Sequence, residues 1–248
     1  MGRFILLAGP SGVGKSPLVA ALQRLHPELA ADLTPVVLYN DRAPRPGEVD
    51  GVDYHFRQRA EIERLGDTPG FVLCDVRGDL QCLDLDAVER TLESGGDSFF
   101  EGNPFVPEVL RSAGVLDRYP TLTVFVSPLR QEEIAYLTVA ERNVDLASLV
   151  TDVMRRKLLR RTTRHKGNLS LPDLENIERR AASAIAELRL AWRYDFVIAN
   201  HDGEDSENWD AFYYPLGDAF GALDSLVALL EGRSAAAVEQ WTEDLIPD

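Results

Sequence analysis

A glycine-rich segment at residues 9–16 carries the clearest chemical signal in the sequence. It spells Gly-Pro-Ser-Gly-Val-Gly-Lys-Ser and matches the phosphate-binding pattern G-x-x-x-x-G-K-[ST]. In such a loop the glycines let backbone N–H groups approach phosphate oxygens, the lysine reaches the β- and γ-phosphates, and the serine hydroxyl is a Mg²⁺ ligand. We therefore predict a nucleoside triphosphate site whose contacts are Gly9, Ser11, Gly12, Val13, Gly14, Lys15 and Ser16.

A second group of candidate binding residues follows at 41–56. Arg42 and Arg45 flank a proline, a glycine turn comes next, and Tyr54 follows the turn. Guanidinium forks bind phosphate oxygens through paired hydrogen bonds, and a tyrosine hydroxyl adds a further donor. The three side chains therefore indicate an anion site, although the segment alone is also typical of a solvated charged loop.

Apolar runs alternate with helical patterns along the chain and would position these groups. Short apolar stretches predict buried strands at 3–8, 34–38, 71–74, 97–101, 121–126 and 195–199. Helical spacing predicts helices at about 17–25, 84–94, 129–159, 173–193 and 216–231. The alternation indicates an α/β fold with a doubly wound parallel sheet. Residues 234–248 show no such pattern, and we expect them to be frayed or loosely docked.

Composition excludes several classes of protein. The 248 residues include 26 Lys and Arg against 41 Asp and Glu, and this net charge of −15 opposes general binding to a nucleic-acid backbone. No apolar run reaches the roughly 18 residues of a membrane helix, and the N-terminus lacks the cleavage site of a secretory signal. Cys74 and Cys82 have neither metal-ligand nor redox spacing, so we expect buried thiols in a reducing cytoplasm.

Taken together, the two motifs resemble those of the guanylate kinase family. Its members carry a GPSGxGKS loop and then an R-x-P-R-x-G-E-x-x-G-x-D-Y-x-F segment, which this chain has from Arg42 to Phe56. A third match is the helical pattern at 177–188, which leads into an apolar strand that ends in Asn200. The resemblance spans roughly residues 3–202. It implies a three-layer P-loop kinase fold with a five-stranded parallel core sheet, a small acceptor-binding subdomain and a helical lid.

The resemblance also implies an activity and a role for each residue. The expected activity is transfer of the γ-phosphoryl group of ATP, with Mg²⁺, to a nucleoside monophosphate, and GMP is the expected acceptor. Lys15 and Ser16 would serve ATP and Mg²⁺, and Asn200 would lie near the adenine. The acceptor phosphate would be held by Arg42, Arg45 and Tyr54. The catalytic cations that would close over the transferring phosphoryl group, besides Lys15, are Arg160, Arg164 and Arg180.

Several departures from the family pattern concern the acceptor. Where members have a serine and a glutamate that recognise guanine, this chain has Leu38 or Tyr39 and then Leu73, with Asp75 as a candidate replacement. A tyrosine and a serine that help to hold the acceptor phosphate are not evident near 81–84. A site that hydrogen-bonds one base discriminates strongly, because another base leaves buried polar groups unpaired. The departures at these positions therefore affect the expectation that GMP is the acceptor more than the expectation of kinase chemistry.

A further departure lies at the end of the strand near residue 100. The family usually has Asp-x-Asp there, and this chain has Glu101-Gly-Asn103. Glu101 can still organise Mg²⁺-bound water, whereas Asn103 cannot act as a carboxylate, and both are kept as candidate acceptor-site residues. The basic cluster at 155–166 has no interleaved aromatic residues, so we expect a phosphate-closing lid there rather than a nucleic-acid site.

The resemblance also divides the chain into regions. The family-like part, 1–202, would contain a core (about 1–33, 96–130 and 177–202), an acceptor-binding subdomain (about 34–95) and a lid (about 131–176). An acidic loop and a C-terminal helix would extend it over 203–248. We expect residues 201–214 to form a surface loop, with acceptor or partner binding as the alternative.

Three functions stay open from the sequence. The first is a GMP kinase, and the second is a kinase for another phosphorylated acceptor, such as a modified nucleotide or a sugar phosphate like ribose 1,5-bisphosphate. The third is a non-catalytic interaction module, which would typically have lost the phosphate loop, whereas Lys15 and Ser16 are present. The expected partner is thus a small phosphorylated molecule, and the sequence does not predict an oligomeric state.

Overall fold

The computed structural model describes residues 2–45 and 47–247. Its strands are β1 (Phe4–Ala8), β2 (Leu33–Pro35), β3 (Tyr39–Asn40), β4 (His55–Phe56), β5 (Phe71–Val76), β6 (Asp79–Asp84), β7 (Asp97–Gly102), β8 (Thr121–Ser127), β9 (Phe196–Ala199) and β10 (Val238–Glu239). Its α-helices are α1 (Lys15–Leu25), α2 (Pro27–Ala31), α3 (Arg59–Gly66), α4 (Leu85–Glu93), α5 (Phe105–Ser112), α6 (Gln131–Leu137), α7 (Leu146–Lys166), α8 (Leu171–Leu188) and α9 (Gly217–Leu230). The alternation confirms the predicted α/β class.

Two compact units make up the chain. The first contains the chain up to Leu6 and Asp32–Leu122, and the second contains Leu7–Ala31 and the chain from Thr123 onward. Strand β1 contributes residues to both units. All five of its residues are buried, which is why the sequence there is continuously apolar rather than alternating.

The first unit contains two sets of strands. In one, with the order β1-β7-β2, strands β2 and β7 are parallel and Leu33 lies opposite Asp97. The other is a four-stranded sheet in the order β4-β3-β6-β5. Strands β5 and β6 form a hairpin whose two turn residues, Arg77 and Gly78, have φ values of 61° and 89°, as this tight turn requires. Helix α5 packs against β5, and α3 packs against β5 and β6 through Ile62.

The second unit has the strand order β10-β9-β8-β1. Strands β8 and β9 are parallel, with Phe125 opposite Val197. Helices α7 and α8 pack together around the buried side chains of Leu158, Ile177 and Ala181. Ile177 and Ala181, which belong to the apolar stripe that predicted a helix near 173–193, therefore lie on the face that α8 presents to α7, and α8 ends at Leu188.

The prediction of one helix over 129–159 was wrong. Helix α6 ends at Leu137, and α7 begins at Leu146 after a loop in which Asn143 has a φ of 51°. Asp145 caps α7, because its carboxylate accepts hydrogen bonds from the backbone N–H groups of Ala147 and Ser148. A capping residue of this kind favours a helix that begins at residue 146, whereas the spacing of apolar residues alone does not indicate where the helix begins.

The expectation of a frayed tail was also wrong up to residue 247, beyond which Asp248 lies outside the described residues. Val238 pairs with Ile198 in β9, so β10 adds a short antiparallel strand beside the five predicted core strands. Trp241 and Ile246 are buried.

Within the described residues, no helix combines the length and the apolar character needed to span a membrane.

Candidate active site

The phosphate loop lies between the end of β1 and the start of α1, in the second unit. It contains the predicted contacts Gly9, Ser11, Gly12, Val13 and Gly14. Gly12 and Gly14 have φ values of 85° and 105°, a backbone conformation that residues with a Cβ rarely adopt. A Cβ on Gly14 would also lie 2.5 Å from Nδ2 of Asn200. Glycine is therefore required at position 14 for two independent reasons.

Lys15 is the first residue of α1 and is only 6% exposed. Its ammonium donates hydrogen bonds to the carbonyl oxygens of Gly9 (2.8 Å) and Pro10 (3.0 Å), so the side chain folds back over the loop. Ser16 is the next residue of the same turn and is exposed. The first N–H groups of a helix bind anions. The structure thus brings a cation and a hydroxyl to a helix N-terminus, an arrangement that suits the terminal phosphates of a nucleotide.

A segment that follows β9, residues 200–209, packs against the phosphate loop and is termed the backing segment. Nδ2 of the fully buried Asn200 donates to the carbonyl oxygen of Val13 at 2.8 Å. The backbone N–H of Glu204 donates to the carbonyl oxygen of Gly12 at 3.1 Å. The two hydrogen bonds fix the orientation of the peptide groups that carry the carbonyl oxygens of Gly12 and Val13. The N–H groups of the same peptide units therefore point in fixed directions. Asn200 thus contacts the phosphate loop itself.

Trp209 anchors the backing segment. The side chain is 4% exposed, and its indole N–H donates to the carbonyl oxygens of Asp202 (2.7 Å) and Gly203 (3.0 Å). The expectation of a surface loop was therefore wrong for residues 202–209, which are mostly buried or half-buried, whereas residues 211–214 are exposed. An acidic segment is typical of a solvated loop, so its composition did not indicate this packing. In the structure the carboxylate of Asp202 accepts hydrogen bonds from within the segment and from α9.

Arginines of α7 contact the backing segment. The predicted lid arginines all lie in the second unit, as Arg160 and Arg164 on α7 and Arg180 on α8. Arg160 Nη1 lies 3.2 Å from Oδ2 of Asp205, and Arg161 Nη1 lies 2.6 Å from Oε2 of Glu204. Arg161 belongs to the basic cluster at 155–166 but was not one of the predicted lid arginines. The Arg160 side chain is exposed, whereas that of Asp205 is only 8% exposed, so this ion pair links α7 to the backing segment.

Arg164 provides a test of the lid, because it is exposed one helical turn beyond Arg160. We expect Arg164→Ala to lower kcat about 100-fold and to change KM for ATP less than about threefold, because a lid cation stabilises charge mainly in the transition state. Steady-state kinetics with varied ATP would measure both. Arg156→Ala, an exposed arginine of the same helix, is the matched control. Equal losses in kcat and in ATP affinity would contradict a lid role.

The second predicted anion site lies in the first unit. Arg42 donates from Nη1 and Nη2 to the two carboxylate oxygens of Glu48, each at 2.7 Å. The backbone N–H of Arg45 donates to the same carboxylate at 2.7 Å, and the Arg45 guanidinium lies 3.7 Å from it. Arg42 also lies over the ring of Tyr54, 5.0 Å from the ring centroid. The structure therefore brings the three predicted side chains together, and it adds Glu48 as the group that organises them.

Burial and charge set the protonation states in this cluster. Desolvation opposes the charge of Arg42, but the hydrogen bond and the charge of Glu48 raise the pKa of the guanidinium above its ordinary value. Burial raises the pKa of Tyr54, so its hydroxyl stays protonated and can donate a hydrogen bond. The side chains therefore present positive charge and neutral N–H and O–H donors, which suits a phosphate.

Glu101 and Asn103 lie where β7 ends and α5 begins. Burial is the largest cause of the raised pKa of Tyr54, and the negative charge of Glu101 adds a smaller contribution in the same direction. Oδ1 of Asn103 accepts a hydrogen bond from the backbone N–H of Phe105 at 2.9 Å, which fixes the amide at the start of α5.

In the first unit the four-stranded sheet packs against α5, and the core side chains between them include Leu38, Cys74, Leu83, Val106 and Leu110. Of the two positions expected to face guanine, Leu38 lies in this core, whereas Leu73 packs near Ile62 on the other face of the sheet. Asp75 is exposed and accepts a hydrogen bond from the backbone N–H of Gly78 in the hairpin turn at 2.8 Å.

Both cysteines are free and buried, as predicted. Burial raises the pKa of the Cys74 thiol to about 12 and that of Cys82 to about 11, so both stay protonated. Cys74 therefore acts as a small apolar group in the core.

Ser16 is the predicted metal ligand that fits Mg²⁺ best. Mg²⁺ prefers oxygen ligands and usually takes only one or two from the protein, together with substrate phosphates and water. Among residues 2–45 and 47–247, no group of three or more His, Cys, Asp or Glu side chains could hold a metal ion. The Ser16 hydroxyl would be one such protein ligand, and the phosphates of the nucleotide would supply most of the other ligands of Mg²⁺.

Comparison with known proteins identifies one family. The family model described as Guanylate kinase matches residues 1–138. The guanylate kinase of Rhodococcus jostii (strain RHA1) is 31% identical over 236 residues, which cover 94% of this chain and 88% of the relative. The guanylate kinase of Synechococcus sp. (strain JA-3-3Ab) is 30% identical over 217 residues, which cover 86% of this chain and 83% of the relative.

A solved structure supports the fold. The crystal structure of guanylate kinase from Anaplasma phagocytophilum aligns with a TM-score of 0.56 and covers 99% of this chain and 89% of its own, at 17% sequence identity. This confirms the predicted P-loop kinase fold. The family model covers more than half of the chain, and the Rhodococcus relative matches nearly all of it. The chain therefore belongs to the guanylate kinase family and is an ATP-dependent phosphotransferase.

Proposed function

We propose that the protein transfers the γ-phosphoryl group of ATP to GMP and produces ADP and GDP. The observation that carries this proposal is the second anion site, in which Arg42 and Arg45 meet at Glu48 beside Tyr54. An enzyme that only hydrolysed ATP would need the phosphate loop and no second site. Transfer of the phosphoryl group to a phosphorylated acceptor explains both the phosphate loop and the second anion site. The relatives at about 30% identity are named guanylate kinases, which favours GMP.

ATP and Mg²⁺ form the donor half of the proposal. Lys15 and the N–H groups of the phosphate loop would bind the β- and γ-phosphates, and Asn200 would keep the loop in its binding conformation through Val13. Ser16 would hold Mg²⁺, and Glu101 would contact it through water. When bound, Mg²⁺ neutralises charge on the phosphate oxygens.

The transfer step needs no covalent nucleophile on the protein. In-line phosphoryl transfer is accelerated when both reactants are positioned and when cations neutralise the equatorial oxygens. Tyr54 and the two arginines beside it would orient the acceptor phosphate. The cations proposed to close over the phosphoryl group are Arg160, Arg164 and Arg180. We assign residues 34–95 to acceptor binding and 131–176 to the lid.

A coupled assay of ADP release tests the acceptor directly. The purified protein is given ATP and Mg²⁺ with GMP, dGMP, AMP, CMP, UMP or ribose 1,5-bisphosphate in parallel. We expect turnover with GMP to exceed that with AMP, CMP and UMP by at least about 100-fold, because a site that hydrogen-bonds one base leaves buried polar groups unpaired with another. Turnover with the sugar phosphate and none with GMP would reject GMP and leave the phosphotransferase class intact.

A further inference from the structure

His201, which directly follows Asn200 in the backing segment, bridges two helices of the second unit through its imidazole. Its Nε2 lies 2.8 Å from Oε2 of Glu133 on α6, and its Nδ1 contacts the carboxylate of Asp218 on α9. The carbonyl oxygen of the same residue accepts a hydrogen bond from the ammonium of Lys157 on α7 at 2.6 Å. Three helices therefore hold this one residue near the start of the backing segment.

A bridge between two carboxylates requires the charged form of the imidazole. Imidazolium carries an N–H donor on each ring nitrogen, whereas neutral imidazole has one donor and one acceptor, so one carboxylate would face a lone pair. Burial opposes the charge, but the hydrogen bonds and charges of Asp218 and Glu133 raise the pKa of His201 above its ordinary value. The bridge is therefore complete when the imidazole is protonated, and it is lost as pH rises through that raised pKa.

The other charged groups on the elements around His201 are consistent with this state. Arg130, in the turn before α6, pairs with Asp218 at 3.0 Å, so two carboxylates face two cations when the imidazole is charged. Asp202, the next residue in the chain, accepts a hydrogen bond from the backbone N–H of Ala219 on α9. Lys157 contacts the carbonyl oxygen of His201 and not the ring. Loss of the proton from the imidazole thus leaves the bridge with an excess negative charge.

The position of His201 in the chain connects this bridge to the phosphate loop. Asn200, one residue before it, donates to Val13, and the backbone N–H of Glu204, three residues beyond it, donates to Gly12. The bridge therefore holds the backing segment between its two contacts with the loop. When a binding loop is ordered in only part of the molecules, the apparent affinity for its ligand falls by that fraction.

We propose that His201 is a positioning residue for the nucleotide: in its charged form it bridges Glu133 and Asp218, holds the backing segment against the phosphate loop and so strengthens the binding of ATP. The inference rests on the proposed ATP site and not on the identity of the acceptor. Because coupling between two equilibria is reciprocal, bound ATP in turn stabilises the charged imidazole. The affinity for ATP therefore depends on the protonation of a side chain outside the phosphate loop.

The test measures the dissociation constant of a non-hydrolysable ATP analogue with Mg²⁺ for the full-length wild type and for His201→Gln, from about pH 6 to about pH 9. Glutamine keeps an amide donor but cannot carry the charge. At the low end we expect His201→Gln to bind the analogue at least about fivefold more weakly than the wild type. At the high end the two proteins should agree within about twofold, because the wild-type imidazole has lost its proton. Titration of the analogue itself affects both proteins alike and cancels in their ratio.

Two further variants accompany this comparison. His26→Gln removes a histidine at the end of α1 that is remote from the phosphate loop, and it is expected to match the wild type at every pH. Glu133→Gln keeps an oxygen that can accept from the backbone N–H of Arg130 but removes one negative charge beside the imidazole. It is expected to move the fall in ATP affinity to lower pH, because the protonated imidazole is less stabilised.

A merely structural contact would give a difference between the wild type and His201→Gln that is the same at every pH, and that result would overturn the inference. Equal affinities at low pH would overturn it too. An NMR titration of His201 needs no variant: the pKa should be higher with the analogue bound than without it, and equal values would reject the coupling. Failure of the wild type to bind the analogue at any pH would reject the proposed ATP site and this inference with it, whereas a lack of turnover with GMP would reject only the acceptor.

Discussion

Lys15→Met is expected to lower kcat at least about 1,000-fold, the largest effect of any single substitution in this protein. The ammonium is the only side-chain cation that the phosphate loop contains, and two loop carbonyls fix its position. It neutralises charge that develops on the phosphoryl oxygens, so its loss acts in the transition state. Methionine keeps the length and packing of a side chain that is almost fully buried. ADP release with saturating ATP and GMP is the measurement.

Thermal unfolding and a control variant make this result interpretable. Lys166→Met removes another lysine, one that pairs with Asp173 on the surface, and is expected to keep full activity. Both variants should unfold cooperatively within a few degrees of the wild type. Turnover by Lys15→Met above about one-tenth of the wild-type rate would show that the phosphate loop does not position the transferring group.

Arg42→Met is expected to raise KM for GMP about 100-fold and to leave KM for ATP within about threefold of the wild type. The guanidinium now makes two charge-assisted hydrogen bonds to Glu48, and the same fork can bind two oxygens of an acceptor phosphate. Hydrogen bonds to charged groups contribute about 1.5–3 kcal/mol each, which corresponds to roughly 10- to 100-fold in affinity per bond. Kinetics with each substrate varied in turn would give both constants.

A second arginine of the same unit is the control for this prediction. Arg57 pairs with Asp50 on the surface, and Arg57→Met is expected to leave KM for GMP unchanged. Because Arg42→Met leaves the carboxylate of Glu48 without its main partner, the double variant Arg42→Met with Glu48→Gln should be tested beside it. A normal KM for GMP in both Arg42 variants would mean that the acceptor phosphate binds elsewhere.

The donor half of the candidate site could be predicted from the sequence because its parts are close together in the chain. The phosphate loop, Lys15 and Ser16 occupy eight consecutive positions between a strand and a helix, so one local pattern defines them. Arg42, Arg45 and Tyr54 also lie within a short segment. Their spacing predicts an anion site, but the carboxylate of Glu48 that organises them became evident only from the hydrogen bonds.

Features that depend on long-range packing could not be predicted in this way. One example is the assignment of strand residues to the two faces of a sheet. Leu73 and Cys74 must project from opposite faces because they are adjacent in a strand, but only the packing shows that Leu73 lies near α3 and Cys74 near α5. The backing segment is another, since its acidic composition is typical of a solvated loop, while Trp209 is buried in it. Hydrogen bonds between side chains and distant backbone groups decide such cases, and no local pattern encodes them.

The hydrogen bond from Asn200 to Val13 joins residues 187 positions apart. Contacts with so large a sequence separation form late in folding, after the chain has paid the entropy of closing a long loop. The ribosome synthesises the glycine-rich turn well before it reaches Asn200. A growing chain therefore acquires a supported nucleotide-binding loop only after residue 200 has been synthesised, which ties the ability to bind ATP to a late stage in the synthesis of this domain.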